Sequence, residues 1–492
     1  MRTSGILMPI FSLSGKYGIG TFGKSAFQFV DFLEKGGQTY WQILPLSPTN
    51  YGDSPYQSFS SYAGNPYFID PELLIKEGLL TEAEADSFDF GSDPDSIDYG
   101  KLYKNRTAML KLAFARFKKN DEYESFCEKN AEWLSDYALF YAIKSQNPET
   151  PLCEWEPTLK IRDKAAVLQA ERELYEEIEF CKFCQFKFYE QWFSLKAYAN
   201  EKGIKIIGDI PIYVAADSAD LWADPAQFQV DPLLYPARVA GCPPDAFSDE
   251  GQLWGNPLYD WKKMKEDGYA WWKRRLAHAL SIYDVVRIDH FRAFESYYSI
   301  PATDKNAVNG KWIKGPDIAL FKEFEKEFGK NLPIIAEDLG FLTPAVYKLL
   351  KRSGFPGMKV LQFAFDTREE SDYLPHNYIN NCVVYTGTHD NDTVNGWTKT
   401  ADPDDVALAR RYLHVDDNEG FNWAMMRAAL GSVADTCILM MSDLLGLGSE
   451  GRINTPSTLG GNWQWRIREG CVNDWLAGIL LENTKLYSRE RE

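Results

Sequence analysis

The segment Asp284–Phe291 reads D-V-V-R-I-D-H-F, a largely apolar run that carries an arginine and an aspartate near its end. Seven further apolar runs bounded by Gly, Pro or acidic residues occur along the chain: Gly5–Phe11, Thr39–Leu46, Ile204–Ile212, Pro333–Leu339, Met358–Phe365, Cys382–Thr388 and Thr436–Leu445. The runs do not alternate between apolar and polar residues, which is typical of parallel strands buried on both faces. They predict eight buried strands.

Helical patterns separate many of these runs. After the first run, Phe27, Val30 and Leu33 recur at every third residue, and after the fifth run Pro344 and Gly354 frame a helix. Neither of the two common glycine-rich nucleotide-binding motifs follows any run. Eight strands alternating with helices therefore favour a (β/α)8 TIM barrel over an open nucleotide-binding sheet.

The chain is longer than a bare barrel requires. It has 492 residues, whereas a barrel needs about 250. Most of the extra residues form an insertion at 50–203, which is loop-rich and then strongly helical, and a second insertion covers 213–260. Such insertions usually occupy the loops at the carboxyl ends of the strands. We therefore expect one catalytic barrel over residues 1–492, with an active site that is walled by these insertions.

Composition excludes several kinds of partner. The formal net charge is −18, so the chain should repel nucleic acid and anionic lipid surfaces. No apolar stretch approaches the roughly 20 residues of a membrane span, and the N-terminal residues do not read as a secretory signal. The eight cysteines are scattered, as expected of reduced thiols. These features predict a cytoplasmic protein with no membrane partner, whose oligomeric state stays open.

A metal site is not predicted. The five histidines form no H-x-x-x-H or H-E-x-x-H pair of the kind that binds zinc. Cys181 and Cys184 form one C-x-x-C inside a helical stretch, where packing is a better interpretation than a metal or redox site.

Four acidic residues follow four of the predicted strands. They are Asp209, Asp289, Glu337 and Asp390. The carboxyl ends of barrel strands meet at one rim, so we expect these side chains to converge. Retaining glycosyl transfer needs one ionised carboxylate as nucleophile and one protonated carboxyl as acid. The constellation therefore predicts a glycosyl-transferring active site.

The surroundings of these acids suggest their roles. Arg287 shares a strand face with Asp289 and should hold it ionised, as a nucleophile requires. Glu337 would be the acid, with its pKa raised by the neighbouring carboxylates. Asp390, helped by His389 and His290, could stabilise the positive charge that develops on the sugar.

Aromatic residues make up 15% of the chain. Sugar rings offer apolar C–H faces to aromatic planes and hydroxyls to polar side chains. Several predicted rim loops carry such groups and are candidates for substrate binding: Tyr56-Gln57, Asn65-Pro66-Tyr67, Phe247, Trp254-Gly255-Asn256 and Gly461-Asn462-Trp463.

Taken together, these motifs resemble those of the 4-α-glucanotransferases, also called amylomaltases or disproportionating enzymes (glycoside hydrolase family 77). The resemblance covers essentially the whole chain. It rests on S-P-Y-Q, A-G-N-P-Y, G-D-I-P-I-Y-V-A-A-D-S-A-D-L-W, P-P-D-A-F-S, G-Q-L-W-G-N-P-L-Y, R-I-D-H-F-R, A-E-D-L-G, T-H-D-N-D-T and G-G-N-W-Q-W-R, in that order.

This resemblance implies an activity and a set of site residues. It implies a retaining transferase that moves segments of α-1,4-glucans and maltooligosaccharides, without metal or cofactor and without a C-terminal β-domain. The roles implied are nucleophile for Asp289, general acid/base for Glu337, transition-state stabiliser for Asp390, donor subsite for Asp209, Arg287 and His389, and glucan contacts for Tyr56, Phe247, Trp254 and Asn462. Ala246 stands where the family usually has an aromatic residue, which leaves chain-length preference and the formation of cyclic glucans open.

Two other functions fit part of the pattern. An α-amylase-like hydrolase on the same barrel would differ only in using water as the acceptor. A non-catalytic glucan-binding protein would keep the aromatic residues but has no reason to keep all three acids.

Overall fold

The structure is a computed structural model, and it describes residues 2–49, 51–244, 248–340, 342–368, 370–416 and 418–491. Its strands, in chain order, are β1 Thr3–Leu7, β2 Tyr40–Gln42, β3 Lys205–Ile210, β4 Arg238–Cys242, β5 Gln252–Pro257, β6 Val285–Ile288, β7 Ser296–Pro301, β8 Lys311–Lys314, β9 Ile334–Ala336, β10 Gly357–Val360, β11 Cys382–Tyr385 and β12 Thr436–Met440.

Eight of these strands form one parallel sheet, in the order β10-β11-β12-β1-β2-β3-β6-β9. The two end strands approach each other, because the Ala336 N–H donates to the Pro356 carbonyl just before β10 at 3.0 Å. Each of the eight predicted runs supplies one strand of this sheet, and the predicted TIM barrel is confirmed. The runs extend beyond the strands because the residues that follow are also buried. The second half of Thr436–Leu445, for example, is a short helix.

Helices surround the barrel and fill the insertions. They are α1 Lys24–Lys35, α2 Pro71–Lys76, α3 Glu82–Asp86, α4 Tyr99–Arg116, α5 Asp121–Lys129, α6 Ala131–Gln146, α7 Pro157–Lys160, α8 Lys164–Glu173, α9 Tyr175–Glu201, α10 Ala219–Ala223, α11 Trp261–Glu266, α12 Ala270–Ile282, α13 Ile318–Phe328, α14 Pro344–Ser353, α15 Val394–Thr400, α16 Pro403–Leu413, α17 Phe421–Gly431, α18 Met441–Leu444 and α19 Asp474–Leu486. Helix α14 begins at Pro344 and ends before Gly354, whose φ of 74° is left-handed.

The insertion at 50–203 contains helices α2 to α9 between β2 and β3. Its longest helix, α9, packs against both α6 and β3 and so joins the insertion to the barrel. Trp192 and Phe183 of α9 are fully buried in the same apolar core as the barrel strands. The described residues after β12 form helices and loops and contain no further strand.

A second, antiparallel sheet lies beside the barrel, in the order β5-β4-β7-β8. The sequence pattern does not predict these strands. Two belong to the insertion at 213–260, and the other two form a hairpin after β6. Their residues include Gly241, Pro257, Pro301 and Lys311, which weaken a strand pattern.

The described part of the chain has no helix with both the length and the apolar character needed to cross a bilayer. All eight cysteines are free thiols, as expected, and burial raises the pKa values of Cys181 and Cys184.

Candidate active site

The four acids lie at the carboxyl ends of barrel strands. Asp209 is the fifth residue of β3, Asp289 directly follows β6, Glu337 directly follows β9, and Asp390 lies in the loop after β11. The carboxylates are close enough to interact: Asp289 experiences the charges of Glu337, Asp209 and Asp390. The structure therefore brings the four predicted acids together on one rim.

Arg287 connects two of these acids. It pairs with Asp209 across neighbouring parallel strands, which places both side chains on the same face. Its Nη1 donates to Asp209 Oδ2 at 2.6 Å, and its Nη2 donates to Asp289 Oδ1 at 3.0 Å. Arg287 and Asp209 are buried, whereas 31% of the Asp289 side chain remains exposed. Asp289 is thus the member of this group that a substrate can reach.

The electrostatic balance at Asp289 differs from the expectation. Burial raises the pKa of Asp289, the Arg287 guanidinium lowers it, and the Glu337, Asp209 and Asp390 carboxylates raise it again. The net shift is upward, so the guanidinium alone does not outweigh burial and the neighbouring negative charges. The guanidinium therefore favours the ionised form of Asp289, as expected, while burial and the neighbouring carboxylates oppose it.

The pKa of Glu337 is raised in the predicted direction, but burial rather than the neighbouring carboxylates is the largest cause. Asp390 adds to the rise, while Arg287 and two backbone N–H groups act in the opposite direction. Asp289 and Glu337 therefore titrate as a coupled pair that retains a proton above the ordinary carboxyl range. Such a pair can supply one ionised and one protonated carboxyl.

Backbone N–H groups hold Glu337 in place. His290 N–H donates to Glu337 Oε2 at 2.7 Å, and Leu339 N–H donates to Oε1 at 2.6 Å. His290 has a left-handed φ of 53°, which is rare for a residue with a side chain. The neighbouring Asp338 points elsewhere, since it accepts a hydrogen bond from the Met358 N–H at 2.6 Å. Of the two adjacent acids, Glu337 faces Asp289.

Asp390 is held by residues 452–454, a segment that the sequence motifs do not mark as part of the site. Asn454 Nδ2 donates to Asp390 Oδ1 at 2.6 Å, and Arg452 Nη2 donates to the Asp390 carbonyl at 3.1 Å. His389 Nε2 lies 3.4 Å from Asp390 Oδ2. The segment lies more than 60 positions further along the chain and carries no recognisable pattern of its own, so only the fold reveals this contact.

Tyr56 and His389 form an aromatic wall beside these acids. Their rings are stacked at 5.1 Å with an interplanar angle of 16°, and Trp463 packs against both. The Tyr56 hydroxyl donates to Asp209 Oδ2 at 2.7 Å. Burial lowers the pKa of His389, which keeps the ring neutral near pH 7. This wall offers apolar ring surface next to the carboxylates, as sugar binding requires.

The insertion at 213–260 carries two of the predicted glucan contacts, Trp254 and Phe247. The Trp254 ring contacts the His290 ring edge to face, with 4.8 Å between the ring centroids. Trp254 therefore touches the residue that directly follows Asp289 in the chain. Phe247, together with Ala246, lies outside the described residues.

Asn462 is occupied within its own loop. Its Oδ1 accepts a hydrogen bond from the Thr455 N–H at 2.9 Å, and its Nδ2 donates to the Thr458 carbonyl at 3.2 Å. In this structure Asn462 therefore shapes the loop that carries Trp463 more directly than it offers polar atoms to a ligand.

Within the described ranges, no group of three or more His, Cys, Asp or Glu side chains is arranged to hold a metal ion. What the residues do provide is a coupled carboxyl pair, a third carboxylate and an aromatic wall. This arrangement fits glycosyl transfer through a covalent intermediate.

Comparison with known proteins agrees with this chemistry. The family model described as 4-alpha-glucanotransferase matches residues 8–472. The chain belongs to the 4-α-glucanotransferase family. It is accordingly an enzyme, a glycosyltransferase that acts in glucan transfer.

Individual relatives cover the chain almost completely. The 4-alpha-glucanotransferase of Clostridium butyricum is 48% identical over 98% of this chain and 100% of its own length. That of Thermus thermophilus is 46% identical over 95% of both chains. The amylomaltase of Streptococcus agalactiae, solved in complex with acarbose, superposes with a TM-score of 0.97 at 42% identity, with 100% of each chain covered.

Proposed function

We propose that this chain is a retaining 4-α-glucanotransferase that transfers α-1,4-glucan segments to the 4-hydroxyl of an acceptor glucan or glucose. The observation that carries the proposal is that the carboxyl groups of Asp289, Glu337 and Asp390 lie on one rim of the barrel, close enough for their charges to interact. Family membership supports the reaction type. The individual roles rest on the geometry described above.

In the first half of the reaction, an oxygen of Asp289 attacks the anomeric carbon of the donor. The glycosidic C–O bond breaks, and Glu337 gives its proton to the departing oxygen, which leaves as the 4-hydroxyl of the released fragment. The glycosyl unit is then an ester of Asp289. Arg287, at 3.0 Å from Asp289 Oδ1, stabilises the carboxylate both before attack and as the leaving group later.

In the second half, the same two carboxyls exchange tasks. Glu337, now ionised, removes the proton from the acceptor 4-hydroxyl, whose oxygen attacks the anomeric carbon and releases Asp289. Esterification has removed the negative charge of Asp289, so the pKa of Glu337 falls at this stage and rises again for the next cycle. Two displacements retain the anomeric configuration.

Asp390 stabilises the oxocarbenium-like charge of the sugar in both transition states. It is suited to this because its side chain is 45% exposed, beside the buried His389. The wall of Tyr56, His389 and Trp463 would pack against the same sugar ring.

We also propose that both insertions build the walls of the glucan site. The insertion at 50–203 contributes Tyr56, which reaches Asp209, and the insertion at 213–260 contributes Trp254, which contacts His290. The acarbose complex of the Streptococcus agalactiae relative supports a site for oligosaccharides. The free thiols favour a cytoplasmic location.

Incubation with maltotriose tests the proposal. A transferase produces glucose and longer maltooligosaccharides while the number of reducing ends stays constant. A steady increase in reducing ends would instead identify the chain as an α-amylase-like hydrolase. Absence of any product from a folded protein would favour a glucan-binding protein.

Asp289→Asn tests the nucleophile in the same assay. The variant should fold but lose transfer, because an amide cannot form the ester. Asp404→Asn, in the exposed first turn of α16, is a matched control that should remain fully active.

A further inference from the structure

Asp390 is the most exposed of the three proposed catalytic acids. Its side chain is 45% exposed, compared with 31% for Asp289, and Glu337 is buried. A short carboxylate side chain at a solvent-open position samples several rotamers unless a partner fixes it. A transition-state stabiliser must instead be held in its productive orientation before the charge develops.

Asn454 is the partner that the structure provides. Its Nδ2 donates to Asp390 Oδ1 at 2.6 Å, which is short for a hydrogen bond from an amide. His389 is a weaker partner, since its Nε2 lies 3.4 Å from Oδ2 and its buried ring is neutral. Asn454 thus fixes one carboxylate oxygen and leaves the other directed toward His389 and the aromatic wall.

The backbone of this segment is held separately from the Asn454 side chain. The Asn454 N–H donates to the His389 carbonyl at 3.0 Å. Arg452 donates from Nε to the Asn454 carbonyl at 2.8 Å and from Nη2 to the Asp390 carbonyl at 3.1 Å. The Asn454 N–H and the Arg452 guanidinium connect the two loops without the Asn454 side chain, so a change of the Asn454 amide should leave the loops in place.

We propose that Asn454 is a positioning residue for glucan transfer, which orients Asp390 for the transition state through the Nδ2–Oδ1 hydrogen bond. The inference rests on the proposed function of Asp390. It assigns a role to the R-I-N segment at 452–454.

The first test is Asn454→Ala in the maltotriose assay. Loss of a hydrogen bond to a charged group should lower kcat by about tenfold to a hundredfold. KM should stay within about twofold, because the interaction matters in the transition state and little in the ground state. An unchanged kcat, or a lower kcat/KM that comes only from a raised KM, would overturn the inference.

The second test is Asn454→Asp, which keeps the size of the side chain and replaces the donor by a titratable group. At low pH the new carboxyl can hold a proton and its O–H can donate a hydrogen bond to Asp390, whereas at higher pH two carboxylates repel each other. The ratio of its kcat to that of the wild type should therefore be highest at low pH and fall as pH rises. A merely structural role predicts a flat ratio, which would contradict the inference.

The other charged and titratable groups around Asp390 are the same in both proteins, so a pH dependence of the ratio arises from residue 454 and its coupling to them. They are Asp289, Glu337, Arg287, His389 and Arg452. Asn395→Asp is the matched control, since Asn395 lies in helix α15 and its Nδ2 donates to the Gly446 carbonyl at 2.9 Å rather than to a catalytic acid. Its kcat ratio should be independent of pH.

Asp390→Asn separates the inference from the proposed function. If Asp390→Asn is inactive and Asn454→Asp behaves as the wild type at every pH, the function stands and the role of Asn454 is refuted. If Asp390→Asn is fully active, the proposed role of Asp390 fails, and the inference fails with it.

Discussion

Arg287 Nη1 donates to Asp209 Oδ2 at 2.6 Å, and neither side chain is more than 4% exposed. The Tyr56 hydroxyl donates to the same oxygen. A carboxylate this deeply buried is stable only with such partners. The ion pair between Arg287 and Asp209 therefore holds the guanidinium in the position from which it also donates to Asp289.

Arg287→Ala should be strongly destabilising. It leaves the Asp209 carboxylate buried without its cation, which costs about 3–5 kcal/mol in comparable buried pairs. The free energy of unfolding from urea titration measures this loss. Lys35→Ala removes the exposed ion pair with Asp474 as a control and should change the free energy by less than about 1 kcal/mol. Equal effects of the two substitutions would refute the interpretation.

Tyr56→Phe separates the two contacts of Tyr56. The variant keeps the ring that stacks on His389 and loses the hydrogen bond to Asp209. Because that bond is to a charged group, we expect a loss of about 1.5–3 kcal/mol in unfolding free energy, with KM for maltotriose little changed. Tyr56→Ala should raise KM in addition. If Tyr56→Phe alone raised KM as much as Tyr56→Ala, the hydroxyl rather than the ring would bind the sugar.

The raised pKa values of Asp289 and Glu337 make stability depend on pH. The folded protein keeps these protons at pH values where the unfolded chain has lost them, so stability falls as pH rises above the ordinary carboxyl range. Glu337→Gln cannot titrate at this position. Its thermal midpoint relative to the wild type should therefore increase as pH rises above about 5. A constant difference across this range would show that Glu337 has an ordinary pKa.

Asn462→Ala tests whether the amide organises its loop. The substitution removes the bonds to Thr455 and Thr458, while the Trp463 N–H still donates to the Ile453 carbonyl. We expect faster limited proteolysis near the exposed Leu459 and a KM for maltotriose that rises several-fold. Asn309→Ala, in another loop, should change neither. Rising KM without faster cleavage would instead indicate a direct contact between Asn462 and the glucan.

The barrel was predictable because each strand is a short, continuous apolar run, and the acids were predictable because they directly follow such runs. The antiparallel sheet was not, since strands such as Arg238–Cys242 are short and contain glycine or polar residues. The net charge balance at Asp289 depends on burial and on three other carboxylates, which spacing in sequence does not reveal. The contact of Asn454 with Asp390 joins two loops that only the closed barrel brings together.

The most direct test of the account is the identity of the residue that becomes glycosylated. A maltooligosaccharyl fluoride without a 4-hydroxyl at its non-reducing end can be a donor but not an acceptor. In Glu337→Gln, fluoride can leave without a general acid, so the ester with Asp289 still forms. Breakdown of the ester needs a general base, which this variant lacks, so the ester should accumulate. Mass spectrometry of the digested protein should then place one glycosyl unit on Asp289; a unit on another residue, or turnover with no adduct at all, would contradict the central claim.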